Sequence, residues 1–356
     1  MRAAVLNRGE IVVRDDVPEP TPTTGQVLVQ VRACGICGSD LHFAQHAPRA
    51  LELGKAVEGL PQLGAQEDLD LDRDVYMGHE FAAEVLEAGP DTQTLAPGTL
   101  VTSVPVLAAP DGIRPIVYSN VVAGGYGERM LLTAPMLLEV PNGLDASHAA
   151  LTEPMAVGLH AVNRSRIEPR TEGALVLGCG PVGLAVIAAL KLRAVEPIVA
   201  ADFSPARRTL ALTMGAHEAV DPQEESGWAA YGRVGKGRSL VVFEAIGVPG
   251  VIDDILRRAP AQSRVVVVGV CMEDDTLNPF FGIAKELNVQ FALGYDPMEF
   301  AASLRSIAEG EIDVAPMVTA EVGLDDVPWA FGALRDSEEH CKIIVTPSSS
   351  SSGSRR

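Results

Sequence analysis

Apolar and polar positions alternate through the first part of the chain. The run Gln26-Val27-Leu28-Val29-Gln30-Val31-Arg32-Ala33 has the period of a half-buried antiparallel strand. Ile11 to Arg14 and Glu80 to Glu87 read the same way, with Pro and Gly between them, so residues 1 to about 150 predict an all-β body. From about 154 to 293 the texture becomes apolar run, glycine turn and helical stretch, repeated. Ala174 to Leu177, Pro197 to Ala201, Ser239 to Glu244 and Val265 to Val270 are the strand cores. Strands alternating with helices predict a parallel, doubly wound sheet. A helix around Pro297 to Glu309 and a closing strand, Cys341 to Thr346, follow. The serine-rich segment 347–356 has nothing to bury and reads as a disordered tail.

Composition narrows the class. A chain of 356 residues, 47% hydrophobic and 21% charged, is long enough for two domains of a soluble globular enzyme. A formal charge of −19 speaks against nucleic acid or anionic membrane as partners, because phosphates are bound by clustered Lys and Arg. The most apolar stretch, 174–192, is broken by glycines and a proline, and no run reaches the roughly 18 residues of a membrane span. No signal peptide is recognised at the start, and the five cysteines are scattered, so a reducing, cytoplasmic setting is expected.

Two motifs carry chemistry. The first is Cys34-Gly35-Ile36-Cys37-Gly38-Ser39-Asp40-Leu41-His42 with Gly78-His79-Glu80 downstream. It supplies a thiolate, an imidazole and a carboxylate, the ligand types of a catalytic zinc ion, and adds a hydroxyl and a second imidazole that could move a proton. A structural zinc knuckle would need a second cysteine pair, and Cys179, Cys271 and Cys341 each stand alone. A redox Cys-x-x-Cys belongs at the start of a helix in a βαβ unit, whereas this one follows an alternating strand.

The second motif is Leu175-Val176-Leu177-Gly178-Cys179-Gly180-Pro181-Val182-Gly183, Gly-x-Gly-x-x-Gly between a strand and an apolar helix, with Asp202 closing the next strand. Gly178 permits the tight turn, Gly180 lets the backbone approach a pyrophosphate, and Gly183 lets helix and strand pack closely. The helix N-terminus offers its free N–H groups to the phosphates. Asp202 can accept from a ribose 2′-hydroxyl but repels a 2′-phosphate, favouring NAD; Arg207 and Arg208 nearby are the counter-indication. Gly269 and Val270, ending a later strand run, join Pro181 and Val182 as further cofactor contacts.

Together these residues make a pattern. The chain resembles the zinc-dependent medium-chain dehydrogenases and reductases over all but its tail and one insertion. The resemblance implies an α/β protein in which a GroES-like β domain, 1–153, carries the zinc and a Rossmann domain, 154–293, carries the nicotinamide. Residues 294–346 are then a return to the first domain. It implies Cys37 and His79 as zinc ligands, Glu80 as a carboxylate that ligates in some members, Ser39 and His42 as the proton relay, and Asp40 and Lys342 as supports around the metal. Arg207 matches a residue that contacts the adenosine ribose. Leu151-Thr152-Glu153-Pro154 looks like the Glu-Pro motif of the polyol branch, that of sorbitol, butanediol and threonine dehydrogenases, and makes Glu153 a further carboxylate at the metal; a plain helix-start glutamate is the alternative.

The implied function is hydride transfer between NAD and a small secondary alcohol, diol or polyol, with a primary alcohol as the runner-up. A zinc-free quinone or enoyl reductase, and a non-catalytic nucleotide-binding protein, are rival readings. In the family's mechanism zinc lowers the alcohol's pKa, Ser39 takes the proton, and ribose hydroxyls and His42 lead it to solvent. Two departures stand out. Residues 95–125 lack the family's four cysteines, so one catalytic zinc per subunit and no structural zinc is expected. Cys37 and His79 are separated by extra residues within 46–76, including the acidic Glu67 to Asp74, expected as a solvated surface loop or a lid. A homodimer or homotetramer is expected.

Overall fold

The computed structural model describes residues 1–57, 69–110, 112–336 and 338–348. The chain forms two compact units. The first comprises Met1–Glu153, Val318–Asp336 and Lys342–Arg356; the second comprises Pro154–Met317 and Ser337–Cys341. Among the described residues no helix is long and apolar enough to cross a membrane.

In the first unit the alternating run becomes the strand Gln26–Gly35, with Val27, Val29 and Val31 fully buried. It is the hub of a mostly antiparallel sheet. Glu80–Ala88 and Arg129–Thr133 pair with it, and Lys342–Val345 pairs antiparallel at its far end, Ile344 opposite Gly35 and Val345 opposite Cys34. Val318–Val322 extends the sheet parallel to Lys342–Val345.

The all-β expectation for this part needs correcting. Gly38–Ala56 is helical, broken at His46 two residues before Pro48, where the missing N–H and the ring's clash disfavour a regular turn. Asp40, Phe43 and Ala47 are its buried residues. Their spacing is helical, but the first is a carboxylate, so the apolar stripe is hard to see. Residues 46–56, expected as a surface loop, are therefore helix. Residues 58–68, the middle of the insertion and part of its acidic stretch, lie outside the described residues, as do 349–356 of the expected tail.

The second unit is built on six parallel strands. In chain order they are Glu172–Leu177, Ile198–Ala201, Glu218–Val220, Ser239–Glu244, Arg264–Val267 and Asn288–Phe291, arranged 3-2-1-4-5-6. That is the order of the dinucleotide-binding fold, and ligands sit where it reverses. The helix Pro181–Leu192 is almost wholly buried, from Gly183 to Leu190. The expected return to the first unit at 294 begins later, at Val318. The helix Pro297–Ala308 stays with the second unit because Glu299 accepts from Asn163 and lies 2.7 Å from His160 Nδ1, both on the helix Thr152–Ser165.

Candidate metal and cofactor sites

Cys37 caps the helix Gly38–Ala56, so Ser39, Asp40 and His42 are all fixed by its first turns. Asp40 Oδ2 accepts from the Cys37 N–H at 3.3 Å and from the Tyr126 hydroxyl at 2.6 Å. His79 enters from the chain before the strand Glu80–Ala88. Its side chain hydrogen-bonds Cys37, and its Nδ1 lies 3.5 Å from Asp40 Oδ1. Both of those atoms are buried without a hydrogen-bond partner among the described residues. Burial alone would depress the His79 pKa, but Asp40, Cys37 and Glu153 outweigh it and hold it well above its ordinary value. Burial pushes the Asp40 carboxyl up, against the opposing pull of His79 and Tyr126.

Two carboxyl groups and a thiol thus gather about one buried imidazole, and Asp40 Oδ1 and His79 Nδ1 are polar atoms that burial leaves without a partner among the described residues. Thiolate, imidazole and carboxylate are the donors zinc takes, so the residues fit a zinc ion held by Cys37, His79 and Glu153. Among the described residues no three such side chains form a ready-made cage; the fit rests on donor chemistry.

Glu80 is engaged otherwise than expected. Both its oxygens lie 2.8 Å from Lys342 Nζ, and both residues are fully buried. Lys342 also donates to the Ile36 carbonyl at 3.0 Å. Turning Glu80 to a metal would strand a buried ammonium, so its role here is ion pairing. The pair fits closely: a Cβ on Gly35 would come within 2.1 Å of Glu80 Oε2. Ser39 is half-buried, with its hydroxyl bonded to the Tyr118 hydroxyl, and His42 is exposed. Tyr118 and Tyr126 are site residues the motif reading missed; the only hint was a tyrosine set among glycines at Gly124-Gly125-Tyr126-Gly127.

In the second unit Gly178 takes φ +88°, which side chains resist. A Cβ on Gly183 would lie 2.0 Å from the Gly178 carbonyl oxygen, whereas one on Gly180 would meet nothing within 4 Å. Helix packing therefore needs the third glycine, and the second leaves a cradle open for a phosphate. Asp202 Oδ2 accepts from the Cys179 N–H at 2.7 Å and Oδ1 from the Ser204 N–H at 2.9 Å, tying the glycine loop to the next strand. Gly178, Gly180, Asp202, Phe203, Trp228 and Arg258 help line a cavity of about 490 Å³. Arg207 is buried and donates to the His340 carbonyl at 2.7 Å, while its Nη1 has no partner among the described residues. Arg208 is held by Asp221 Oδ2 at 3.1 Å and by two carbonyls. Pro181 and Val182 open the helix beyond Gly180, and Gly269 packs on Gly247 beside the half-exposed Val270; none of these four is among the cavity's lining residues.

Comparison with known proteins decides the family. Residues 23–142 match the alcohol dehydrogenase GroES-like domain, and residues 181–309 match the zinc-binding dehydrogenase domain. The (R,R)-butanediol dehydrogenase of Bacillus subtilis (strain 168) is 32% identical over 358 residues, covering 98% of this chain and all of the relative. The chain belongs to the zinc-binding dehydrogenases. It is also 26% identical to the sorbitol dehydrogenase of Bacillus subtilis (strain 168), over 98% of this chain and 97% of that one. Among solved structures, the 2R,3R-butanediol dehydrogenase from Bacillus subtilis superposes with a TM-score of 0.79 at 30% identity, covering 97% of this chain and 99% of that one. A zinc-binding dehydrogenase from Sinorhizobium meliloti 1021 bound to NADP gives 0.78 at 29% identity, over 97% and 99%. As a zinc-binding dehydrogenase, this chain is an oxidoreductase with a GroES-like unit and a nicotinamide-binding Rossmann unit.

Proposed function

We propose that this dehydrogenase interconverts a small secondary alcohol, vicinal diol or polyol and its carbonyl form, using NAD and one zinc per subunit. The observation that carries the reading is the gathering of Cys37, Asp40 and Glu153 about the buried His79, whose Nδ1 and the facing Asp40 Oδ1, 3.5 Å away, have no hydrogen-bond partner among the described residues. The likeness to butanediol dehydrogenase along the whole chain points the substrate towards a diol.

Cys37, His79 and Glu153 would hold the metal. When bound, zinc supplies Lewis-acid polarisation of an alcohol or carbonyl oxygen, and the nicotinamide carries the hydride. Asp40, locked by Tyr126, faces the His79 imidazole at 3.5 Å. Ser39 would accept the alcohol's proton at its hydroxyl while giving up its own to the ribose hydroxyls that lead towards His42 and solvent. His42, three residues on along the same helix, lies exposed where it can pass a proton to water. Asp202 would accept from a ribose hydroxyl with its remaining lone pairs, and its charge disfavours a 2′-phosphate. Elemental analysis should find one zinc per subunit. Steady-state rates on butane-2,3-diol, sorbitol, threonine, ethanol and benzyl alcohol with NAD and NADP test the rest; a primary alcohol leading in kcat/KM by more than about tenfold overturns the substrate class.

The protein would act as a homodimer or homotetramer. Asn288–Phe291 is an edge strand of the parallel sheet, and around it Phe280, Ile283, Phe291 and Leu293 are 65, 76, 64 and 81% exposed. An uncovered edge flanked by apolar side chains suits pairing with the same strand of a second copy about a two-fold axis. Phe291→Lys should release monomers in light scattering; an unchanged mass would remove the edge from the interface.

A further inference from the structure

Tyr118 is held more firmly than a loop residue needs to be. Its ring stacks on Phe43, with centroids 3.8 Å apart and planes 9° from parallel. The next two residues are clamped to the last part of the insertion. The Tyr76 N–H donates to the Ser119 carbonyl at 2.7 Å, and the Ser119 N–H returns a bond to the Tyr76 carbonyl at 3.2 Å. Asn120 accepts from the Asp70 N–H at 2.8 Å and donates to the carbonyls of Asp70 and Asp74 at 3.0 and 2.9 Å. The ring sits beside the helix that carries Ser39, and its hydroxyl bonds that of Ser39.

The pair has spare capacity. Two hydroxyls bring two donors and about four acceptor sites, and one bond between them uses one of each. A donor and several lone pairs remain for a ligand. Burial, Asp40 and Cys37 push the Tyr118 phenol's pKa up, so it stays a neutral donor and acceptor throughout the working range. Two hydroxyl oxygens a hydrogen bond apart also match the spacing of the two oxygens of a gauche vicinal diol. A monoalcohol has one oxygen to offer; a vicinal diol has two.

We propose that Tyr118 is the specificity residue of the alcohol site, its hydroxyl receiving the second hydroxyl of a vicinal diol while Ser39 serves the hydroxyl that is oxidised. The inference rests on the proposed diol or polyol activity and adds the group that recognises the neighbouring hydroxyl.

The test is a cycle of enzyme and substrate: wild type and Tyr118→Phe, each with butane-2,3-diol and butan-2-ol under saturating nicotinamide. The phenylalanine keeps the ring and its stack on Phe43, and an unchanged melting midpoint would verify that. Removing one hydrogen-bonding group from a site built for a hydroxyl should lower the ratio of kcat/KM for diol over monoalcohol by about tenfold or more, mainly through KM. Equal loss on both substrates would mean that Tyr118 acts only through Ser39, and would overturn the assignment, as would an unchanged ratio. If the wild type shows no preference for the diol, the substrate reading fails along with it. A wild type that prefers the diol, with a ratio indifferent to Tyr118, sinks the Tyr118 assignment alone.

Discussion

The two units build their sites from opposite materials. In the first, the chemistry lies in buried side chains. Asp40, His79, Glu80 and Lys342 are all inside and lean on one another or on tyrosine hydroxyls. In the second, the site is mostly backbone: a left-handed glycine, a cradle at Gly180, helix N–H groups and one carboxylate, Asp202. A metal needs donors of particular chemistry, and only side chains supply thiolate and imidazole. A pyrophosphate needs N–H groups and room, which the main chain supplies best where no Cβ intrudes. The first site should therefore be sensitive to what a side chain is, and the second to whether there is one.

The largest effect should come from setting Cys37→Ser against Gly183→Ala. The first should empty the metal site and cut kcat/KM about a thousandfold, the weight of roughly 4 kcal/mol, with NAD binding retained. The second should retain zinc and lose NAD binding, because its Cβ would lie 2.0 Å from the Gly178 oxygen. Elemental analysis and calorimetric titration of NAD read the two losses separately, and a variant that lost both would dissolve the contrast. Next comes Lys342→Met. It leaves Glu80 as a lone buried carboxylate and should cost about 3–5 kcal/mol in denaturant unfolding; a change below about 1 kcal/mol would mean that the pair is not buried as described.

Asp202→Ser should weaken NAD binding by about tenfold, since the carboxylate is lost both to the ribose and to the Cys179 N–H. The gain in NADP use should be smaller, because Arg208 is already held by Asp221. A wild type that prefers NADP would reverse the reading of this residue. The smallest effect concerns acid stability in the second unit. Burial alone would raise the Glu299 pKa, yet hydrogen bonds from the Asp296 N–H, Asn163 and His160 outweigh it and hold it below the ordinary carboxylate value. A depressed pKa contributes stability above the unfolded value, about 4.3, that fades as pH falls through the folded one. Thermal melts below about pH 4 should therefore fall less steeply for Glu299→Gln than for wild type.

The fold class was legible because it rests on local pattern. Val27, Val29 and Val31 announce a strand by themselves, and Gly178 to Gly183 between an apolar run and a helix announces the second unit. What stayed hidden depends on partners distant in sequence. Glu80 reads as a ligand beside His79, and only the fold brings in Lys342, 262 positions away. Tyr126 reaches Asp40 across 86 positions, and nothing near either residue signals the other. The helix Gly38–Ala56 was missed because a charge begins its buried face and a proline interrupts its rhythm.

The placement of Lys342–Val345 bears on how this protein is made. That strand pairs with Gln26–Gly35, and Lys342 Nζ reaches the Ile36 carbonyl 306 positions earlier. On a translating ribosome the chain that supplies Cys37 and His79 emerges early, yet its sheet cannot be completed until residues 342–345 have followed, beginning 306 positions after Ile36. The second unit, nearly continuous from Pro154 to Met317, can settle in the meantime. Metal insertion should therefore come after the nucleotide-binding half is formed, and ribosome-stalled chains ending before 342 should bind NAD before they retain zinc.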